Sequence, residues 1–455
     1  METERVEAQL AELYGSRPWL VASDVLQGGL ATVAKLRGWG APRCFVIAAR
    51  YGTGDPPLAE DCEHRVLDLP PAPMMEAIQS GEAALRALPP EVQAAVDRFD
   101  PHGRMRVIGA IFSDGRPVAG RAFWGARPAA WRALEDKVVI DPLWDAVGVA
   151  RAPYEIAPVE RGALAAAAAR LDRGAGTVWA GDATHGFHGG ASYTCRVRDP
   201  EEADRAYEHL RPRCETARVM PFLAGVPCSI HGLVFPDHVV ALRPAEMVTL
   251  RRPGGTGFLY ARAATFWDPP EAVRSAMRAM VVRVGAHLRS HLAYRGAFTI
   301  DGVCTEHGFF PTELNPRVGA ALGMMSRGFP FSFLHDALVE GVEVAWRPAA
   351  LEAELLAKAD AERIGVLGFS TSRVYGELVR RRLVFDGPDL RPAGADELHD
   401  VDLAVGPGPS GGYVSASLVP ARTPVGPSIG PKAAALVAYT DRVFDTQVGP
   451  VEPSG

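Results

Sequence analysis

Apolar residues recur along this chain in two periods, and the switches between them mark its elements. Residues 1–40 read as helical, with Leu10, Leu13 and Tyr14 at helical spacing. Cys44-Phe45-Val46-Ile47-Ala48-Ala49 is an unbroken apolar run closed by Arg50-Tyr51-Gly52-Thr53-Gly54-Asp55, the pattern of a buried strand entering a glycine-containing loop. Gly52-x-Gly54 reads as a turn rather than a phosphate loop. Short strands follow at 66–70 and 106–112, with helices over 72–87 and 90–99 between them. Alternating strands and helices predict a small parallel α/β domain over 1–130.

A helix with a basic end, Lys137, is predicted over 129–137, and an Ala-rich helix over 163–171. Strands at 176–182 and 193–197 flank the small, polar, Gly-rich stretch 184–192, which contains Gly189 and Gly190. Such a loop lets backbone N–H groups approach phosphate oxygens, and an ordinary flexible hairpin is the alternative. His185 and His188 lie in it without a third ligand nearby, which argues against a metal. A helix over 201–210 and a strand pair at 228–235 and 239–243 follow. The helix 271–292 carries an apolar stripe of Val273, Met277, Met280, Val281, Val284 and Leu288, which is core. From about 350 a helix, several strands, the Gly/Pro-rich loop 406–412 and a last helix at 431–444 read as a separate α+β domain over 346–455. Within it 390–401 reads as polar loop, and 449–455 as a disordered tail.

The chemistry gathers at one hairpin. Phe298 and Ile300 alternate with Ala297 and Thr299, and Asp301-Gly302 ends that strand. After a turn at 304–308 a second strand ends in Glu313, Asn315 and Arg317. Side chains two apart share a face of a strand. If the strands pair, one face collects two carboxylates, an amide oxygen and a guanidinium. That is a hard all-oxygen site for Mg²⁺ with a cation beside it, the set that holds nucleotide phosphates. A solvated hairpin face is the plain alternative.

Composition narrows the classes little. The 455 residues are 47% hydrophobic and 22% charged, ordinary for a soluble globular chain of several domains. A net charge of −6 gives no reason to expect nucleic acid or a membrane surface as partner. No apolar run is long enough to span a bilayer, and the charged N-terminus has no signal-peptide pattern. Six scattered cysteines without C-x-x-C spacing read as free thiols, so a cytoplasmic location is expected. Lysine is scarce, which draws notice to Lys137.

In order, Lys137 before a Gly-Val-x-x-x-Pro turn, the Gly-rich stretch, Phe222-Leu223-x-Gly225, Arg243-Pro244-x-Glu246, Arg251-Arg252, Asp301 and Glu313-x-Asn315-Pro316-Arg317 resemble the ATP-grasp superfamily over about 130–345. Most of its members join a carboxylate to an amine. The local pieces are also similar to peptide ligases of actinobacterial natural-product pathways, such as pheganomycin ligase. The resemblance implies an ATP-grasp fold of two α+β subdomains clamping ATP, a lid at 131–218 and a metal-binding half at 219–345. An N-terminal α/β domain and an extra C-terminal α+β domain flank them.

It implies ATP and Mg²⁺ as cofactors, with Asp301, Glu313 and Asn315 as metal ligands. Arg317 and, less centrally, Arg252 would act on the reacting group. Lys137, Trp179, Gly189, Gly190, Met220, Phe222 and Glu246 would bind the nucleotide, Glu246 by a hydrogen bond to the ribose or by binding metal, with a buried salt bridge to Arg243 as its plain structural alternative. Two departures stand out. The strand that usually carries a second lysine has Trp179-Ala180, and the usual acidic residue near adenine is replaced by Met220-Pro221. The implied activity is ATP-dependent amide formation through an acyl phosphate, between small-molecule or peptide carboxylate and amine substrates. A kinase of the same fold, or a nucleotide-binding protein without turnover, are the alternatives. The C-terminal domain either covers the acceptor site or makes a homodimer contact.

Overall fold

The computed structural model describes residues 1–52, 54, 56–109, 114–184, 186, 189–344 and 347–454. Three sheets organise the chain. The first is parallel, in the order Glu63–Val66, Cys44–Arg50, Trp19–Val25, Arg106–Ile108. Its Trp19–Val25 strand is central, although 1–40 reads as helical. Trp19 to Ala22 are buried, and a short apolar run covered on both faces has no alternation to distinguish it from buried helix. Of the strand expected over 106–112, residues 106–108 form it, and 110–113 lie outside the described residues, as do Thr53 and Asp55 of the Gly52-x-Gly54 turn.

The second sheet is antiparallel, ordered Glu155–Pro158, Thr216–Pro221, Thr177–Gly181, Thr194–Val197. Helices Arg161–Leu171 and Pro200–Leu210 cover one face through Leu164, Ala167, Ala206 and Leu210. The helix expected over 129–137 is a short turn, Ala129–Arg132, continued as 3-10 helix to Glu135, and it releases Lys137 into a loop.

The third sheet has eleven strands. It begins Gly308–Asn315, Gly296–Thr305, Val226–Val234, Val239–Arg251, Phe258–Ala264 and then continues into Gly365–Thr371 and the strands that follow. Helix Glu271–Leu292 packs on it with Met277, Met280, Val281, Val284 and Leu288 buried. The C-terminal strands therefore extend the central sheet while keeping a core of their own under helix Gly430–Phe444. Residues 389–392, expected in a loop, form an edge strand. The expected disordered tail is instead docked: Glu452–Pro453 pairs with Arg251 and Leu250, and Ser454 Oγ donates to Thr249 O at 2.8 Å. Among the described residues no helix is long and apolar enough to cross a membrane.

Two histidines of this core set a pH response. His231 and His335 are buried, and burial lowers both imidazoles to about 3. His335 Nδ1 accepts from Ala297 N at 2.9 Å, which only the neutral ring can do. In the unfolded chain both titrate near 6.5. Between those values the unfolded state binds more protons, so stability rises with pH across the window and is lost on acidification. Urea midpoints should fall from about pH 6.5 to about pH 5, and His335→Gln, which keeps an acceptor for Ala297, should flatten that fall.

Candidate active site

The hairpin pairs antiparallel, with Asp301 opposite Glu313 and Thr299 opposite Asn315. Its first strand runs on to Thr305, so Asp301 sits within the strand rather than at its end. A bulge after Asp301, where Gly302 pairs with Pro311, sets Thr312 out of register. A Cβ on Gly302 would collide with Phe310 O and the Phe309 ring, so this close approach requires glycine.

Side chains from this face line a cavity of about 330 Å³. Asp301 Oδ1 accepts from Ser229 Oγ at 2.5 Å and its Oδ2 from Asn315 Nδ2 at 2.8 Å. Arg317 Nη2 donates to Asn315 Oδ1 at 2.9 Å, and its Nε lies 3.5 Å from Glu135 Oε1. Glu135 is also bridged by Arg127, which donates to Pro316 O at 3.2 Å and so fixes the turn after Asn315. Lys137 Nζ lies 3.1 Å from Glu313 Oε2, brought there by the loop that ends its short helix. Burial and the neighbouring Glu313 charge push Asp301 up to about 6, against the pull of Ser229, Arg317 and Lys137.

Two facing carboxylates and one amide oxygen fit a hard divalent cation that takes its remaining ligands from phosphate oxygens. Burial first, and then repulsion by Glu313, raise Asp301, and such a cation would offset both. Among the described residues no three His, Cys, Asp or Glu side chains form a self-contained metal cluster.

The far wall belongs to the second sheet and the segment leaving it. Val178, Ala180, Met220 and Phe222 line it, and Gly189 and Gly190 approach from above. Phe222 carries the Arg196 guanidinium 3.7 Å from its ring centroid. His185 and His188 of the Gly-rich stretch lie outside the described residues.

Three expected residues are elsewhere. Trp179 does not line the cavity: it is 1% exposed, its indole donates to Thr177 Oγ1 at 3.0 Å, and it fills the core under the helices. Alternation gives the cavity face to Val178 and Ala180 instead. Glu246 reaches neither the cavity nor Arg243, which pairs with Asp268 and Asp360. Its carboxylate accepts from Ser428 Oγ, Ile429 N and Gly430 N at 2.7, 2.7 and 3.1 Å. It thereby satisfies the free N–H groups that open helix Gly430–Phe444. Glu246→Ala should cost about 2 kcal/mol in urea unfolding while leaving ATP affinity unchanged by calorimetry. Arg252 follows the end of its strand, donates to Val448 O, and lines a separate recess with Arg196, Arg198 and Arg251.

One cation was missed. Arg218, 1% exposed, lines the cavity from the strand beside Ala180. Its Nη2 donates to Asp141 Oδ1 at 2.7 Å and its Nη1 to Thr312 O at 3.0 Å. Burial lowers its pKa from the ordinary arginine value. The signal was present: Arg218 is two positions before Met220 on one strand, hence on its face.

Many solved structures share this architecture, two biotin carboxylases among them. Biotin carboxylase from Campylobacter jejuni, solved as a beta-gamma-ATP complex, matches with TM-score 0.57 and 12% identity over 96% of this chain and 93% of that one. The biotin carboxylase domain dimer of Hydrogenobacter thermophilus 2-oxoglutarate carboxylase, solved with MgADP, ADP and bicarbonate, gives 0.56 and 12% over 88% and 85%. The chain thus has the ATP-grasp fold. No protein-family model and no curated protein matches its sequence.

Proposed function

We propose that the protein is an ATP-dependent ligase that joins a carboxylate to an amine through an acyl phosphate. The observation that carries this is the convergence in one cavity of facing carboxylates Asp301 and Glu313, Asn315, and three cations, Lys137, Arg218 and Arg317. Phosphoryl transfer needs little covalent help from a protein and depends on positioning and charge. The nucleotide complexes of the two biotin carboxylases support ATP as the phosphoryl donor.

In this reading adenine lies against Met220 and Phe222, apolar contacts that suit a ring without an acidic partner. Lys137 reaches the α- or β-phosphate, and Arg218 supplies the cation that the Val178–Ala180 face lacks. Asp301, Glu313 and Asn315 would hold Mg²⁺, which would supply charge neutralisation for the phosphates. A carboxylate oxygen attacks the γ-phosphorus and ADP leaves. Arg317 pairs with the carboxylate or the transferring phosphoryl group in a planar geometry lysine cannot copy. The amine then attacks the acyl carbon, and phosphate departs with one former carboxylate oxygen. Gly189 and Gly190, the described glycines of the Gly-rich stretch that line the cavity, help keep water from the acyl phosphate.

The finer reading, a peptide-type bond made in natural-product biosynthesis, rests on the sequence resemblance. Screening acids and amines for ADP release, followed by product mass, tests the function. A ligase yields a product of acid plus amine less water. A mass gain of phosphate alone indicates a kinase, and ATP binding with no ADP from any mixture indicates a protein without turnover.

A further inference from the structure

A second chamber of about 570 Å³ adjoins the first, and Gly190, Phe258 and Tyr260 line both. It occupies a split in the central sheet. Strands Phe258–Ala264 and Gly365–Thr371 pair only at Arg262 with Leu367, Ala263 with Val366 and Ala264 with Gly365. Continued in register, Tyr260 would meet Phe369 and Phe258 would meet Thr371. Instead 258–260 pairs only with the strand Val239–Arg251, and 369–371 only with Gly411–Leu418. The strands part where Met247 pairs with Ala263 and Thr249 with Tyr260, so one extra residue stands on the Phe258 strand. Arg262, at φ 72°, occupies that bulge in a backbone region that side chains avoid. Strain of this kind persists where the surroundings impose it, commonly at ligand sites.

In an antiparallel strand alternate residues turn their N–H and C=O to opposite sides. Both walls of the split therefore present backbone donors and acceptors with no backbone partner among the described residues. The described residues lining the chamber include no Asp, Glu, Lys, Arg or His. Ser370, Ser372 and Ser410 add hydroxyls to a wall of Pro73, Met74 and Phe369. Ala72 N donates to Pro409 O at 3.0 Å, tying the N-terminal segment to the C-terminal loop across it. A free ammonium or carboxylate inside would find no charged partner, whereas an amide chain in extended form would satisfy both walls.

We infer that this split binds an extended, uncharged peptide segment of the substrate as an added β-strand, its reacting end directed past Tyr260 toward the nucleotide cavity. Peptide binding stands independently; only the statement that the bound end reacts rests on the ligase reading. Three residues of wall at about 3.3 Å each accommodate about three residues of strand. Apolar side chains are favoured by Phe369, Met74 and Pro73, and Tyr260, whose hydroxyl burial pushes up to about 12, stays a neutral donor.

The test is equilibrium dialysis of the full chain with a library of tetrapeptides built from Ala, Val, Leu and Phe, and with the free amino acids. Selected peptides should bind at least about tenfold more tightly than any free amino acid. Because one wall receives the odd and the other the even amides, N-methylation at any amide of the segment seated between the walls should weaken binding about tenfold, whereas N-methylation of an amide appended outside it should not. Ser372→Arg, at an exposed position on the chamber rim, should lower peptide affinity by a similar factor without changing ATP affinity. No peptide bound, indifference to N-methylation within the seated segment, or an indifferent Ser372→Arg overturns the inference. The two readings fail separately. Ligation of free amino acids by a chain that binds no peptide leaves the ligase and removes the strand site. Peptide binding with no ADP from any acid and amine does the reverse.

Discussion

Glu313→Ala lowers substrate-dependent ADP release about a thousandfold, while the fold is retained. The carboxylate stands opposite Asp301 and 3.1 Å from Lys137, at the point where phosphate charge must be balanced. On the proposed function its loss removes an oxygen ligand for Mg²⁺, and it leaves the Lys137 ammonium without this partner. Metal-held charge stabilisation is worth several kcal/mol, and each 1.36 kcal/mol is a factor of ten in rate. The side chain is 20% exposed, so little packing goes with it. Steady-state ADP release and a circular-dichroism melt on the same sample check both halves. Unaltered ADP release would mean that the hairpin face does not serve phosphoryl transfer.

Arg218→Met destabilises the protein by about 3–5 kcal/mol, because Asp141 is fully buried and keeps only Arg151, at 3.8 Å, as a counter-ion. Folding and nucleotide binding separate in a double variant. Arg218→Met with Asp141→Leu replaces a buried pair by apolar side chains, which is commonly neutral or stabilising. That double variant should regain most of the lost stability in urea titration yet bind ATP at least about tenfold more weakly, the value of a charge-assisted contact. Recovery of both would make Arg218 a structural residue alone.

How far the sequence led depended on whether local periodicity or distant pairing decided the outcome. Asp301, Glu313 and Asn315 meet because alternation on two neighbouring strands puts them on one face, and a two-residue turn joins those strands. Arg317, expected on the same strand, lies in the bend after it and joins them by donating to Asn315 Oδ1. The same parity, applied elsewhere, corrects the misplaced residues. Met247 and Thr249 line the cavity, so Glu246 belongs to the opposite face, where the last helix needs an acceptor. Val178 and Ala180 line it, so Trp179 belongs to the core. Arg218 was legible from Met220 by the same rule. What local pattern could not show is non-local. The tail around Glu452 gains order only by pairing with Arg251, some 200 positions earlier in the chain. The C-terminal strands extend the central sheet through one short pairing, Arg262, Ala263 and Ala264 against Leu367, Val366 and Gly365. The bulge that parts those strands depends on Arg262 in a conformation its side chain does not favour, which no propensity would assign.

Oxygen transfer tests the acyl phosphate most directly. With an acid and amine pair that releases ADP, the acid is labelled with ¹⁸O in both carboxylate positions and the phosphate is analysed by mass. The ligase mechanism predicts one ¹⁸O in each phosphate formed and one retained in the amide. Phosphate free of label, with both ¹⁸O atoms retained in the acid or lost elsewhere, would contradict it.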